Sequence, residues 1–181
     1  SITDLYAWID AAYAVHSDMK SHTGGCMSFG WGLVHCKSVK QKLNTKSSTE
    51  AEIVGVSDYL PFPIWMRYFV EAQGHPPPNV TGYQDNVSAT RMEKNGKKSC
   101  TGNSRHIHIK YFFVKDRIDN GEITIEYCPT EEMLADFFTK PLQGALFRKF
   151  RAVIMGWEHI DSLKSSTTHV IKERVGNTDF Y

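Results

Sequence analysis

The sequence contains no apolar run of the roughly 18–20 residues that a membrane-spanning helix requires, which excludes such a helix. It has no C-x-x-C pair; Cys26, Cys36, Cys100 and Cys128 stand far apart. Zinc-site spacing is therefore absent, and free thiols in a reducing compartment are expected. No basic stretch leads into an apolar one at the start, so a secretory signal is not read and an intracellular setting is expected. The opening residue is Ser1 rather than Met, which suggests a piece of a longer polypeptide. No excess of either charge is present: 21 Lys and Arg against 20 Asp and Glu give a net charge of +1. Taken alone, that balance argues mildly against nucleic acid as a partner. What is present is material for a core, with 41% hydrophobic and 12% aromatic residues among 181. This suits one domain that buries about 70% of the unfolded surface, and excludes disorder as the main theme.

The pattern of elements is that of an α/β domain. Residues 5–10 form a strand ending in a carboxylate, Gly24-Gly25 opens a second strand to about residue 29, and Gly30-Trp31-Gly32 turns into a third at 33–36. A helix begins near residues 47–49, where Ser47/Glu50 and Thr49/Glu52 are competing capping boxes. Pro61 and Pro63 interrupt it, and a second helical stretch covers 64–72. Residues 80–85 form a strand ending in Asp85, followed by a short helix over 86–92, a polar loop over 93–104 and a helix over 105–118. Residues 122–127 alternate apolar and polar as a half-buried strand does. A helix capped by Thr130 carries Met133, Leu134, Phe137 and Phe138, and a last helix spans 144–155. The implied fold is a five-stranded mixed sheet, three antiparallel strands and then parallel ones, flanked by helices. The domain is read as 1–156, with 157–181 as a C-terminal tail, either a disordered end or translated flanking sequence.

Four acids stand where such a fold presents chemistry: Asp10, Glu52, Asp85 and Asp136. Groups at the carboxyl ends of adjacent parallel strands share one crevice. Carboxylates converging there repel unless a cation offsets them, and an all-oxygen donor set favours Mg²⁺ or Mn²⁺. Each acid singly is more often a turn former or a cap, and Glu50 reads as the capping partner of Ser47. Glu50 and Glu52 lie about 200° apart around a helix, so they do not both face the site.

Five blocks carry a resemblance: I-D-A-A-Y-A (9–14), K-S-S-T-E-A-E (46–52), Q-D-N-V-S-A (84–89), S-R-H-I-H-I-K-Y (104–111) and E-Y-C-P-T-E-E-M-L-A-D-F-F-T-K-P-L (126–142). In type and order they resemble the ribonuclease H domain of copia-type LTR retrotransposon polyproteins, over residues 7–156. The resemblance implies a ribonuclease H-like fold and a D-E-D-D site on Asp10, Glu52, Asp85 and Asp136. It implies two Mg²⁺ ions (Mn²⁺ as substitute), with Asp10 bridging both, Asp136 on the ion that activates water, and Glu52 and Asp85 on the ion facing the leaving group. The implied activity is hydrolysis of the RNA strand of RNA–DNA hybrids, leaving 3′-hydroxyl and 5′-phosphate ends. The implied partner is a reverse transcriptase domain of the same polyprotein, in a cytoplasmic virus-like particle or the nucleus. The alternative is a catalytically silent nucleic-acid-binding or connection domain supporting that polymerase. Where members of the family often carry a second aspartate after the first, this chain has Ala12.

The basic residues are segregated despite the neutral total. Lys37, Lys40, Lys42 and Lys46 form one group; Lys94, Lys97, Lys98, Arg105 and Lys110 a second; Lys140, Arg148, Lys149 and Arg151 a third. Contacts of this kind to phosphates add affinity without sequence information. Lys40, Lys42, Arg105 and Lys140 are the candidate phosphate contacts, and Asn86 and Ser88 the candidate donors to RNA 2′-hydroxyls. His106 and His108, two apart on a helix, diverge, which argues against common ligation. Trp8, Trp31, Trp65, Trp157 and Phe137-Phe138 are expected in the core.

Overall fold

In the computed structural model, residues 2–86 and 105–164 are described, apart from the side chains of residues 105 and 106. Within them, β1 (Asp4–Ala12), β2 (His22–Ser28) and β3 (His35–Lys40) form an antiparallel meander. Helices α1 (Ser48–Tyr59) and α2 (Pro61–Ala72) follow, then β4 (Asn79–Gln84), α3 (Arg105–Asp119) and β5 (Thr124–Tyr127). Strands β4 and β5 run parallel to β1, and the sheet order is β3-β2-β1-β4-β5. The mixed sheet expected from connection lengths is thus the one observed. The short helix expected over 86–92 lies outside the described residues, apart from Asn86 itself, as do Ser88, Lys94, Lys97, Lys98 and Cys100.

Alternation along β1 builds two cores. Leu5, Ala7 and Ile9 face α1, α2 and α3, with Met27, Val56, Tyr59, Leu60, Val114 and Ile125. Trp8 faces the opposite layer with Cys26, Met133, Leu134, Phe150, Val153, Ile160 and Leu163. That second layer contains α4 (Gly144–Ile154) and the 3₁₀ helices Thr130–Glu132, Leu134–Phe138 and Ile160–Leu163. Side-chain direction with period two therefore assigns each residue of the central strand to a layer.

Several expectations change. Gly24-Gly25 lies inside β2 rather than opening it, because both residues permit close approach. A Cβ on Gly24 would stand 2.6 Å from Thr139 Cγ2 and 3.0 Å from the Ala135 carbonyl, and one on Gly25 would meet the Tyr59 ring. Strand β3 runs later than expected, so Lys37 and Lys40 are strand residues. The helix expected over Thr130 onward is two 3₁₀ helices parted at Met133, whose ψ is 84°. Met133, Leu134, Ala135 and Asp136 are all buried in succession, whereas a surface α-helix buries only one stripe. Helix α2 begins at Pro61, since proline suits the first helical turn, where its missing N–H is no loss.

Of the tryptophans only Trp8 is buried; Trp31, Trp65 and Trp157 are exposed. Trp31 sits in a turn with Gly30 and Gly32 at positive φ, Trp65 stacks on Phe69 along α2, and Trp157 lies under Arg151. Phe137 and Phe138 are half-buried. Residues past Gly156 are not all tail: Ile160 and Leu163 are buried, and the Ile160 amide donates to the Gly30 carbonyl at 3.0 Å. Residues 165–181 lie outside the described region. Cys26, Cys36 and Cys128 are free thiols, and no helix among the described residues is long and apolar enough to cross a membrane.

Candidate active site

The site forms where β1 and β4 end beside the N-terminus of α1. Asp10 lies two residues before the end of β1, and Asp85 follows directly on β4. Helix α1 is started by Ser47, whose hydroxyl accepts from the Glu50 amide at 3.2 Å, while Glu50 accepts from the Lys46 amide at 2.7 Å. Ser47 and Glu50 thus cap the helix between them, and Glu52, one turn in, is buried. Oxygens of Asp10, Glu52 and Asp85 lie within 4.8 Å of one another. Asp10, Glu52 and Asp136 are almost fully buried, at 2%, 4% and 1% exposure.

Asp136 stands apart from this trio and joins it through a cation. Lys140 Nζ is 2.8 Å from Asp136 Oδ1 and 3.7 Å from Asp10 Oδ2. Among the described residues no other Lys, Arg or His pairs with any of the four acids. Burial with so little compensation disfavours the charged forms. Burial first, then the charges of Asp10 and Asp85, push the Glu52 carboxyl up to about 9. Burial, opposed by the Lys140 hydrogen bond and reinforced by Asp10, pushes Asp136 up to about 6. Burial and Asp10 also raise Asp85, against the pull of Lys140. Such a set of oxygens is compatible with a positive partner, and the donor chemistry fits a hard divalent cation.

Two residues without an assigned role from sequence complete the geometry. The Gln84 amide donates from Nε2 to Glu52 Oε2 at 3.1 Å, and its Oε1 accepts from the Asp85 and Asn86 amides at 3.0 and 3.3 Å. One side chain thus ties the helix acid to the turn that carries Asp85. The Thr139 hydroxyl donates to Asp10 Oδ2. Gly24, paired with Asp10 across the β1–β2 ladder, leaves the space that Thr139 fills. Both residues lie within the Q-D-N and T-K-P-L blocks, so their proximity to Asp85 and Asp136 in sequence was the available signal.

The basic residues divide. Lys40 is held by Asp18 at 2.6 Å, Lys37 lies over the Phe62 ring, and Lys110 pairs with Asp58. With exposed Lys42 they line one groove between β3, α1 and α3. Lys149 donates to the Glu131 and Leu163 carbonyls at 3.1 and 2.7 Å, a structural task rather than a solvated one. Asn86 is half-buried beside Asp85; Ser88 and the Arg105 side chain lie outside the described residues.

No family model matches the chain. Among curated proteins, the Retrovirus-related Pol polyprotein from transposon RE2 of Arabidopsis thaliana is 31% identical over 151 residues, covering 81% of this chain and 10% of that polyprotein. The chain is a homologue of copia-type retrotransposon Pol polyproteins. The Pol polyprotein from transposon TNT 1-94 of Nicotiana tabacum is 28% identical over 75% of the chain. The Ty1-DR1 Gag-Pol polyprotein of Saccharomyces cerevisiae is 26% identical over 86% of it. The chain spans about a tenth of the length of these curated Pol relatives. Among solved structures, LC11-RNase H1, isolated from compost, matches with a TM-score of 0.52 at 11% identity over 74% of this chain and 91% of that one. The same enzyme in complex with an RNA/DNA hybrid matches at 0.54 and 12% identity, over 75% and 93%. The Pol homologue thus has a ribonuclease H fold, as its five blocks implied.

Proposed function

We propose that this Pol segment is a divalent-cation-dependent endoribonuclease that hydrolyses the RNA strand of RNA–DNA hybrids. The observation that carries the reading is the convergence of buried Asp10 and Glu52 with half-buried Asp85 within 4.8 Å, on a ribonuclease H fold. Asp136 completes the set across Lys140. All donors are oxygens, which suits Mg²⁺ with Mn²⁺ as a substitute. Asp10, Glu52, Asp85 and Asp136 would hold two ions. Such a pair supplies a water of lowered pKa and a clamp on the attacking and leaving oxygens of a phosphodiester. The chain's own residues provide the preorganisation: Gln84 locks Glu52 to the Asp85 turn, and Thr139 occupies one oxygen of Asp10.

The hybrid's phosphates would meet Lys40, Lys42, Arg105 and Lys140, and its 2′-hydroxyls Asn86 and Ser88. The domain would act beside a reverse transcriptase domain of the same polyprotein, removing template RNA during reverse transcription in a cytoplasmic virus-like particle or the nucleus. The test is a labelled RNA–DNA hybrid incubated with the chain and Mg²⁺. Short RNA pieces ending in 3′-hydroxyls are expected, with duplex DNA intact and no cleavage under a chelator. Asp10→Asn and Asp85→Asn should each abolish cleavage while circular dichroism stays that of the parent. Hybrid binding without turnover by the parent chain would instead favour a silent nucleic-acid-binding or connection domain.

A further inference from the structure

Lys140 occupies an unusual place for an exposed-type side chain. Its backbone N–H donates to the Asp136 carbonyl at 2.9 Å, so it sits one turn beyond that acid. Its ammonium is then shared, 2.8 Å from Asp136 Oδ1 and 3.7 Å from Asp10 Oδ2. These are two of the four acids assigned above to metal. The side chain is 41% exposed while both acids are buried, so the ammonium has a route to solvent that the carboxylates lack. A divalent ion held by the same oxygens would sit about 2.1 Å from them. An ammonium within hydrogen-bond reach of those oxygens would then face a like charge at close range, with little water between.

We propose that Lys140 is the built-in counter-ion of this site. It balances Asp10 and Asp136 before metal arrives, and it must leave them when a divalent ion binds, so that it sets the ion's affinity. The inference rests on the metal-site reading given above. In this role, played before metal and hybrid arrive, Lys140 weakens metal binding and stabilises the metal-free fold, effects that a contact to the hybrid's phosphates alone would not produce.

The deciding measurement is Mg²⁺ binding to the full chain without nucleic acid, by titration calorimetry, for the parent, Lys140→Met and Lys140→Arg. Methionine keeps the length and removes the charge; arginine keeps the charge. Lys140→Met should bind Mg²⁺ roughly three- to tenfold more tightly, the size expected when a competing partly buried ion pair is deleted. It should also melt at a lower temperature than the parent in chelator and regain the difference on adding Mg²⁺. Lys140→Arg should track the parent in both. A Lys140→Met chain that binds Mg²⁺ no more tightly than the parent overturns the proposal. So does one that loses affinity for an RNA–DNA hybrid while its Mg²⁺ affinity stays unchanged, since the ammonium would then serve phosphate alone. A parent chain that binds neither Mg²⁺ nor Mn²⁺ removes the metal-site reading itself, and this proposal with it.

Discussion

At the scale of single residues, Glu52 and Asp136 carry the plainest consequence of burial. Both hold their protons far above the ordinary carboxylate range, to about 9 and about 6. The native chain therefore keeps protons that the unfolded chain releases, and its stability falls as pH rises. For Glu52 the contribution is fully present below the unfolded value of about 4.5 and is lost on approach to about 9; for Asp136 the loss begins near 3.8 and ends near 6. In chelator, the melting temperature should fall progressively between about pH 5 and pH 9. Saturating Mg²⁺ should flatten that slope, because a bound cation lets both acids ionise without repulsion. A flat profile in chelator would mean that Glu52 is charged and solvated, contrary to its burial. The meeting of Asp10, Glu52 and Asp85 was legible in the sequence, because β1 and β4 run parallel and carry Asp10 and Asp85 at the same end, beside the start of α1. Their protonation was not, since it depends on burial, and Gln84 and Lys140 modify it from across the fold.

At the scale of elements, the legible parts were those set by period and punctuation. Alternation gave β5, the Ser47/Glu50 box gave the start of α1, and connection lengths gave the parallel direction of β4 and β5. The segment 130–138 was misread because its hydrophobic spacing matches a helix, while its actual shape is imposed by wedging against β2. Gly24 is the other half of that fit. Gly24→Ala would place its Cβ 2.6 Å from Thr139 Cγ2 and 3.0 Å from the Ala135 carbonyl, which is backbone and yields poorly. The substitution should cost about 1–3 kcal/mol of stability by overpacking. By moving Thr139 and Asp136 relative to Asp10 it should also weaken Mg²⁺ binding. Thr139→Ser removes Cγ2 and keeps the hydroxyl on Asp10, so the double variant should recover part of the loss. Chemical denaturation of both singles and the double measures the coupling, and additive effects would show that the two residues do not share this contact.

At the scale of the whole molecule, the neutral total charge and the expected boundary at Gly156 both averaged over structure that matters. The charge is segregated, with three acids converging and a fourth joined to them through Lys140, and lysines lining a groove between β3, α1 and α3. The boundary at 156 missed Ile160 and Leu163 because two apolar residues in a polar, serine-rich stretch give no periodicity. Their burial comes from tertiary packing on Trp8, Phe150 and Val153. Each such side chain contributes about 1.5–3 kcal/mol when fully buried, an upper figure because the unfolded chain also buries surface. The loss of both is a large part of the roughly 5–15 kcal/mol that holds a typical domain together. The return of the chain also supplies the Trp31–His159 bridge and the Lys149 contact to the Leu163 carbonyl. A chain ending at residue 156 should therefore unfold at markedly lower denaturant than one ending at residue 164. Ile160→Ala in the full chain should reproduce part of that drop, about 2–5 kcal/mol for a well-packed site. Equal midpoints for the chains ending at 156 and 164 would place the domain's end at Gly156 after all, and reduce the packing of Ile160 and Leu163 to an incidental contact.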